Sequence, residues 1–372
     1  MAVQIRKLLD KIECNKNINP DGEKKISQVL EGGKVNTLPL IFWKPRNQTV
    51  PGWTYDMNEQ FYDKEKMLYG HLEEILDIVK DIHDSVVCLR PNFGTIFIPA
   101  ILGLPYQVPK NTFAWLTSHF SKNEIKKLSF PDLDHNPMML RAKEYMQYFQ
   151  EAIPSWIHVY LPDTQGPFDI AHAILGQEIF LAIYDEPELV HDLMDFSTKL
   201  YVEVTKRLKK IINEPLNSCY HGHALARGIY MSNGGTRISE DSATLLSPQH
   251  IDEFVIPYDC EALKSFKGGF VHYCGKHEYL LEAYLNMKEV KAINLGNPES
   301  YDFSKTMDKI LAYKKVYFGT WPKKEKENIH QYVKRMKDKT EGGIRGMLLH
   351  FDESMFPDYS TNEILKLWYD HT

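Results

Sequence analysis

Residues 268–280 read GGFVHYCGKHEYL. A run of β-branched and aromatic residues ends at His272, Cys274 and Gly275, and a helix-like stretch follows at once, as where a strand hands over to a crossover helix. Side chains two apart on a strand share a face, so His272 and Cys274 point one way and Tyr273 the other. The pair is either ordinary buried packing or two ligands of one ion held at the mouth of a barrel.

Working outward from this stretch, similar short runs recur at LPLIFW (38–43), SVVCLR (85–90), WIHVYL (156–161), GIYMSN (228–233), VKAINL (290–295), KKVYFG (314–319) and GMLLHF (346–351). Longer amphipathic segments separate them, which is the pattern of parallel strands joined by helices, and eight such strands imply a closed (β/α)8 TIM barrel. Residues 1–35 read as a helical N-terminal extension. Residues 91–155 read as an insertion after the second strand, rich in Gly, Pro and aromatics and expected to close one side of the mouth. The chain is expected to form one barrel domain over 1–372. Two helix starts carry cap signals: Ser247 with Pro248, and Asp185 with Pro187.

The bulk composition excludes several classes. With 43% hydrophobic and 25% charged residues and a net charge of -6, the chain is an ordinary globular protein with no basic field for nucleic acid. No apolar run approaches the ~20 residues of a membrane span. The amino terminus MAVQIRKLLDKIECNKN turns polar too soon for a signal peptide, so a cytoplasmic location is expected. Five cysteines without framework spacing are expected to be reduced thiols.

Active sites of (β/α)8 barrels lie at the carboxyl ends of the strands. The polar residues expected there are Arg90, Asn92, Asp163, Gln165, Asn233, Arg237, Asp241, His272, Cys274, Asn294, Asn297, Thr320, His350 and Asp352. Imidazole and thiolate together suit zinc, which takes three protein ligands in catalytic sites and keeps one position open. His350, at the equivalent level of the last strand, is the expected third ligand, with Glu240, Asp241 and Asp352 as substitutes. His350 also reads as a core histidine, and His221 with His223 reads as a solvated loop pair. Trp43, Trp53, Tyr55, Phe93, Trp115, Tyr160, Phe168, Trp321 and Phe351 lie near the expected mouth, where they would either stack on a flat aromatic substrate or fill the barrel and its lid.

Read in order, PDTQGPFDIAHAILGQEIFLAIYDEPELVHDLMDF, ISEDSATLLSPQHIDEFVIPY, VHYCG and AINLGNPES resemble the uroporphyrinogen decarboxylase-like superfamily, in particular its corrinoid-dependent methyltransferase branch. PNFGTIFIPAILGLPYQV also fits that branch, and the resemblance spans roughly residues 36 to 355. It implies a (β/α)8 barrel with zinc bound through His-x-Cys and a later thiolate. His272 and Cys274 match the first two ligands. No cysteine follows Cys274, and MLLHFD stands where the later one is expected, making His350 its replacement.

That departure bears on the chemistry. One thiolate with two imidazoles leaves a zinc ion more Lewis-acidic than several thiolates do, which suits pulling on an ether oxygen better than holding a substrate thiolate. The expected activity is therefore O-demethylation: a methyl group passes from a small methoxylated aromatic to the cob(I)alamin of a separate corrinoid protein, because no corrinoid-binding D-x-H-x-x-G sequence occurs here. Asp163 and Asp241 are the expected catalytic carboxylates. Trp43, Asn92, Phe93, Tyr160, Gln165, Asn233, Asn294 and Trp321 are the expected substrate contacts. The alternatives are methyl transfer from a corrinoid to a thiol or other acceptor and, ranked lower, uroporphyrinogen decarboxylation, whose polycarboxylate substrate sits poorly with nine arginines among 44 basic residues. Oligomeric state is left open, a homodimer included.

Overall fold

The computed structural model describes residues 1–43, 54–81, 83–222 and 227–370. Two helices, Ala2–Asn15 and Gly22–Leu30, form the expected N-terminal extension. Eight strands then supply the barrel: β1 (Leu40–Trp43), β2 (Val86–Leu89), β3 (Ile157–Val159), β4 (Thr236–Ser239), β5 (Gly269–Tyr273), β6 (Val290–Leu295), β7 (Val316–Gly319) and β8 (Met347–Asp352). Their near-continuous burial is what a sheet covered on both faces requires. No helix among the described residues is long and apolar enough to cross a membrane.

The ring is built in two arcs. β1, β8, β7, β6, β5 and β4 form one six-stranded parallel sheet in that spatial order. β3 and β2 pair in parallel in a second sheet, which continues into an antiparallel hairpin, Cys219–Gly222 and Arg227–Met231. The hairpin packs against the helix Gly22–Leu30 and β1, with Ser27 Oγ 2.6 Å from Ser232 Oγ.

Here the structure corrects the sequence reading. GIYMSN, expected as the fourth barrel strand, is the returning arm of the hairpin, antiparallel to β2. The fourth parallel strand is the short TRIS at 236–239, whose Arg and Ser hid its strand character. A second correction concerns Asp185 as a cap. It ends the helix Ile179–Asp185, and the next helix, Pro187–Ile211, has Glu186 at its N-cap without a side-chain bond, whereas Ser247 accepts from the His250 N–H as expected.

No ladder joins β3 to β4 among the described residues, so something else must close that seam. Glu240, just past β4, accepts the Phe168 and Asp169 N–H groups at 2.9 and 2.8 Å, at the amino end of the helix Pro167–Leu175. Asp169 answers across the same gap by accepting the Asp241 and Ser242 N–H groups at 2.9 and 2.8 Å. Each carboxyl thus satisfies two backbone donors on the other side. Gly166 is needed for this approach, since a Cβ there would stand 2.2 Å from Glu240 Oε1. Replacing Asp169 by Ala should strand two part-buried N–H groups and lower stability by roughly 1–3 kcal/mol in urea unfolding, while Asp169→Asn, which keeps one acceptor oxygen, should lose less.

Candidate metal centre at the barrel mouth

His272, on β5, is buried, and Cys274 follows the strand end at the rim. Their common face is as the alternation requires, with Tyr273 turned outward to meet the Tyr301 hydroxyl at 3.2 Å. The Cys274 Sγ lies 3.6 Å from His272 Nε2. It lies so close to Gly296 that a Cβ there would come within 2.6 Å of the sulfur.

The third member is Asp241. β4 and β5 pair with Ser239 opposite His272, so two residues further on Asp241 stands level with Cys274. Its Oδ1 accepts the Cys274 N–H at 2.6 Å and lies 3.7 Å from His272 Nε2. Among the described residues Asp241, His272 and Cys274 form the one group of three whose donor atoms lie within 4.8 Å of one another. Zinc with N, S and O donors at ~2.0–2.3 Å in tetrahedral geometry sets those donors ~3.4–3.6 Å apart, close to the separations seen.

The donors are prepared for a cation. The Asn294 Nδ2 donates to the Phe318 carbonyl at 2.6 Å, which turns its Oδ1 toward His272 Nδ1 at 2.5 Å. Nδ1 therefore carries the proton, and the Nε2 lone pair faces the group. Burial, reinforced by the nearby Arg237 charge, lowers the His272 pKa and keeps the ring neutral. Burial and the Asp241 carboxylate push the Cys274 thiol up to about 11, a repulsion that a divalent ion between the two would reverse. The three residues fit a zinc-type ion.

His350 lies elsewhere. Its β8 position is three strand spacings of ~4.8 Å around the ring from β5, and its ring packs edge-on to Phe318 at 5.8 Å. It is 2% exposed and is not one of the three converging groups. Of the other substitutes, Glu240 closes the seam, and Asp352 accepts the Ser354 N–H.

Beside the group lies a cavity of about 460 Å³ between β2, β3, β4, the hairpin and the helix Lys64–Ile78. Its wall contains Arg90, Asn92, Tyr160, Asp163, His221 and Arg237. Asp163 accepts from Arg237 Nη1 at 2.8 Å, Arg90 Nη2 at 3.3 Å and Gln165 Nε2 at 2.6 Å. Burial alone would raise its pKa, but the two guanidiniums and the Gln165 N–H hold it well below the usual carboxylate range. Asp163 is thus an ionised acceptor and has no proton to donate near neutrality. Arg237 links cavity and metal group, since its charge acts on both His272 and Cys274.

The remaining expected contacts divide. Asn92 and Tyr160 line the cavity, the Tyr160 hydroxyl donating to the Gly222 carbonyl at 2.7 Å, while Gln165 and Asn294 act through Asp163 and His272. Phe93 is a core side chain against Phe61 and Phe97, and Trp321 is buried against Phe303 and Tyr317. Phe168 and Phe351 are likewise fully buried, whereas Trp115 is exposed. Asn233 is exposed and precedes β4, at the end of the barrel away from the mouth, because the strand before it runs antiparallel. Trp43 ends β1 in register with Asp352. Its side chain, and the whole of Trp53 and His223, fall outside the described residues.

Gln60, His71 and Glu74 of the cavity wall were missed by the sequence reading. A signal existed: Glu74 sits among Met67, Leu68, Leu72, Ile75 and Ile78 on the buried face of its helix.

No family model matches the sequence. No curated protein matches it either. Among solved structures, a methyltransferase from Methanosarcina mazei superimposes with a TM-score of 0.64 at 14% identity, over 93% of this chain and 96% of that one. The likeness is one of fold, and it extends over essentially the whole barrel.

Zinc measured by elemental analysis after dialysis should be near-stoichiometric in the purified protein and in His350→Ala, and lost in His272→Ala, Cys274→Ala and Asp241→Ala. Asn294→Ala should retain the site but weaken zinc about 10–100-fold in a chelator competition.

Proposed function

We propose that this chain is a zinc-dependent methyltransferase that moves a methyl group from a small methoxylated aromatic to the cob(I)alamin of a separate corrinoid protein. The observation that carries the reading is the convergence of His272, Cys274 and Asp241 at a barrel mouth, near a cavity with Arg237 in its wall. The fold shared with a methyltransferase and the resemblance of the VHYCG and AINLGNPES stretches to corrinoid-dependent methyltransferases support it.

A zinc ion held by the three residues supplies Lewis-acid pull on an ether oxygen. The chain's own groups do the rest. Asn294 fixes the imidazole tautomer, the Glu240–Asp169 clamp holds Asp241 in place, and Arg237 and Arg90 present a positive wall to the charge that develops on the departing oxygen. In the reaction the methyl C–O bond breaks with its electron pair left on oxygen, the methyl group goes to the partner's cobalt, and the phenolate takes a proton from solvent.

One observation favours a second reading. Asp241 in place of a second imidazole gives the donor set two negative charges, so a divalent ion there is neutralised and pulls less on oxygen than a His/Cys/His site would. Methyl transfer from a corrinoid to a thiol acceptor draws support from that.

The two are separated by assay. Incubation with a methoxylated aromatic and a cob(I) corrinoid protein should convert the corrinoid spectrum to the methylated form, with Cys274→Ala and Asp241→Ala reduced more than about 100-fold. Demethylation of free methylcobalamin by a thiol, without reaction of any methoxyarene, would replace the first reading with the second.

A further inference from the structure

The Asp241 side chain is 44% exposed, so packing alone does not hold its carboxylate against His272 and Cys274. Its place is set largely through the backbone. The Asp241 N–H donates to Asp169 Oδ2 at 2.9 Å and the Ser242 N–H to Asp169 Oδ1 at 2.8 Å. The Asp241 carbonyl accepts the Thr244 hydroxyl at 2.7 Å, but Thr244 belongs to the same short turn, Ser242–Leu245, and stiffens it without tying it to a neighbour. Two bonds to one carboxylate make a hinge, and a segment held only there can still rotate about the line through them.

His172 supplies a contact off that line. It follows Asp169 by three residues on the helix Pro167–Leu175, a spacing that puts both side chains on one face. Its Nδ1 lies 2.8 Å from Ser242 Oγ, and its Nε2 lies 3.1 Å from Gln177 Nε2. An amide nitrogen can only donate, so Nε2 accepts and Nδ1 carries the proton that goes to the Ser242 oxygen. Against the burial that raises the Asp169 pKa, the Ser242 hydroxyl in turn favours the ionised carboxylate, so the donors run in one direction from Gln177 to Asp169. Phe180 packs on the imidazole at 5.3 Å between ring centres, and burial together with the nearby His119 keeps the ring in the neutral form this chain requires.

We infer that His172 is a positioning residue of the metal centre: by holding Ser242 it stops the turn from rotating on Asp169 and keeps Asp241 level with Cys274 as the third ligand. The inference rests on the proposed metal centre and is independent of which methyl donor is used. Groups that orient a ligand from outside the coordination sphere act on affinity and geometry rather than on the identity of the donors, and this sets what a test must read.

Zinc affinity by chelator competition on the full chain tests this, with the visible spectrum of the cobalt(II)-loaded protein as a second readout of geometry. His172→Ala and Ser242→Ala should each weaken zinc about tenfold and reduce the cobalt(II) bands, and the double variant should match Ser242→Ala within about twofold, because both changes break one contact. His172→Asn, whose Nδ2 can stand where Nδ1 does, should bind zinc within about threefold of the unsubstituted protein. A side chain that only filled space would lower the melting temperature of the metal-free protein and leave zinc affinity and the cobalt(II) spectrum as they are. Unchanged affinity in both single variants, effects that multiply in the double variant, or His172→Asn as weak as His172→Ala overturns the inference. Should His172→Ala not fold, Ser242→Ala, which removes one hydroxyl, decides alone. Failure of the unsubstituted protein to take up either ion overturns the metal centre and this inference together, whereas an ion held indifferently to His172 and Ser242 overturns the inference and leaves the metal centre standing.

Discussion

The exchange of carboxyl groups between Glu240 and Asp169 is the constraint on which the rest of the mouth depends. β3 and β4 share no ladder among the described residues, and yet the metal group begins at Asp241, the first residue after Glu240. Four side-chain-to-backbone bonds replace the missing ladder and fix the direction in which Asp241 leaves the strand. The clamp is itself anchored below. Burial pushes Glu240 and Asp259 up together, Asp259 to about 7, and the Tyr284 hydroxyl donates to Asp259 at 2.8 Å. Two neighbouring buried carboxyls disfavour each other's ionisation.

Much of this arrangement was legible in the residues themselves. The strand-to-helix rhythm gave seven of the eight barrel strands, and the two-residue spacing of His272 and Cys274 put both on one face. The ranking of His350 above Asp241 as third ligand has a single physical origin. GIYMSN is a better strand by composition than TRIS, and period-2 patterning does not say whether a strand runs parallel or antiparallel. With the fourth strand placed eight residues early, its register with the fifth strand was not available, and Asp241 stood only as a substitute for His350. Once TRIS is the strand, register alone brings Asp241 level with Cys274.

The aromatic residues teach a related point. Phe93 and Trp321 sit next to strand ends in sequence, but both turn into the packing behind the barrel, where their area is removed from water. What reaches the cavity is a mixed wall in which Phe113 and Tyr160 stand beside Arg90, Asp163 and Arg237. Glu74 could have been found by its conflict with the apolar face around it, a local inconsistency of the kind that marks functional positions.

The two-arc construction gives the molecule a division of labour. Every group that holds or orients the candidate ion comes from the six-stranded arc or its immediate ends: Asp241 after β4, His272 and Cys274 on and after β5, Asn294 on β6. The cavity is walled mainly by the other arc, with Arg90 following β2, Tyr160 and Asp163 following β3, and a helix outside the ring, and Arg237 bridges the two. Because the arcs meet through side chains at one seam, the ligand-facing half can be resized by substitution without re-registering the ladder that sets the coordination geometry. Such a barrel can change what its cavity admits while leaving untouched the groups that would hold the ion.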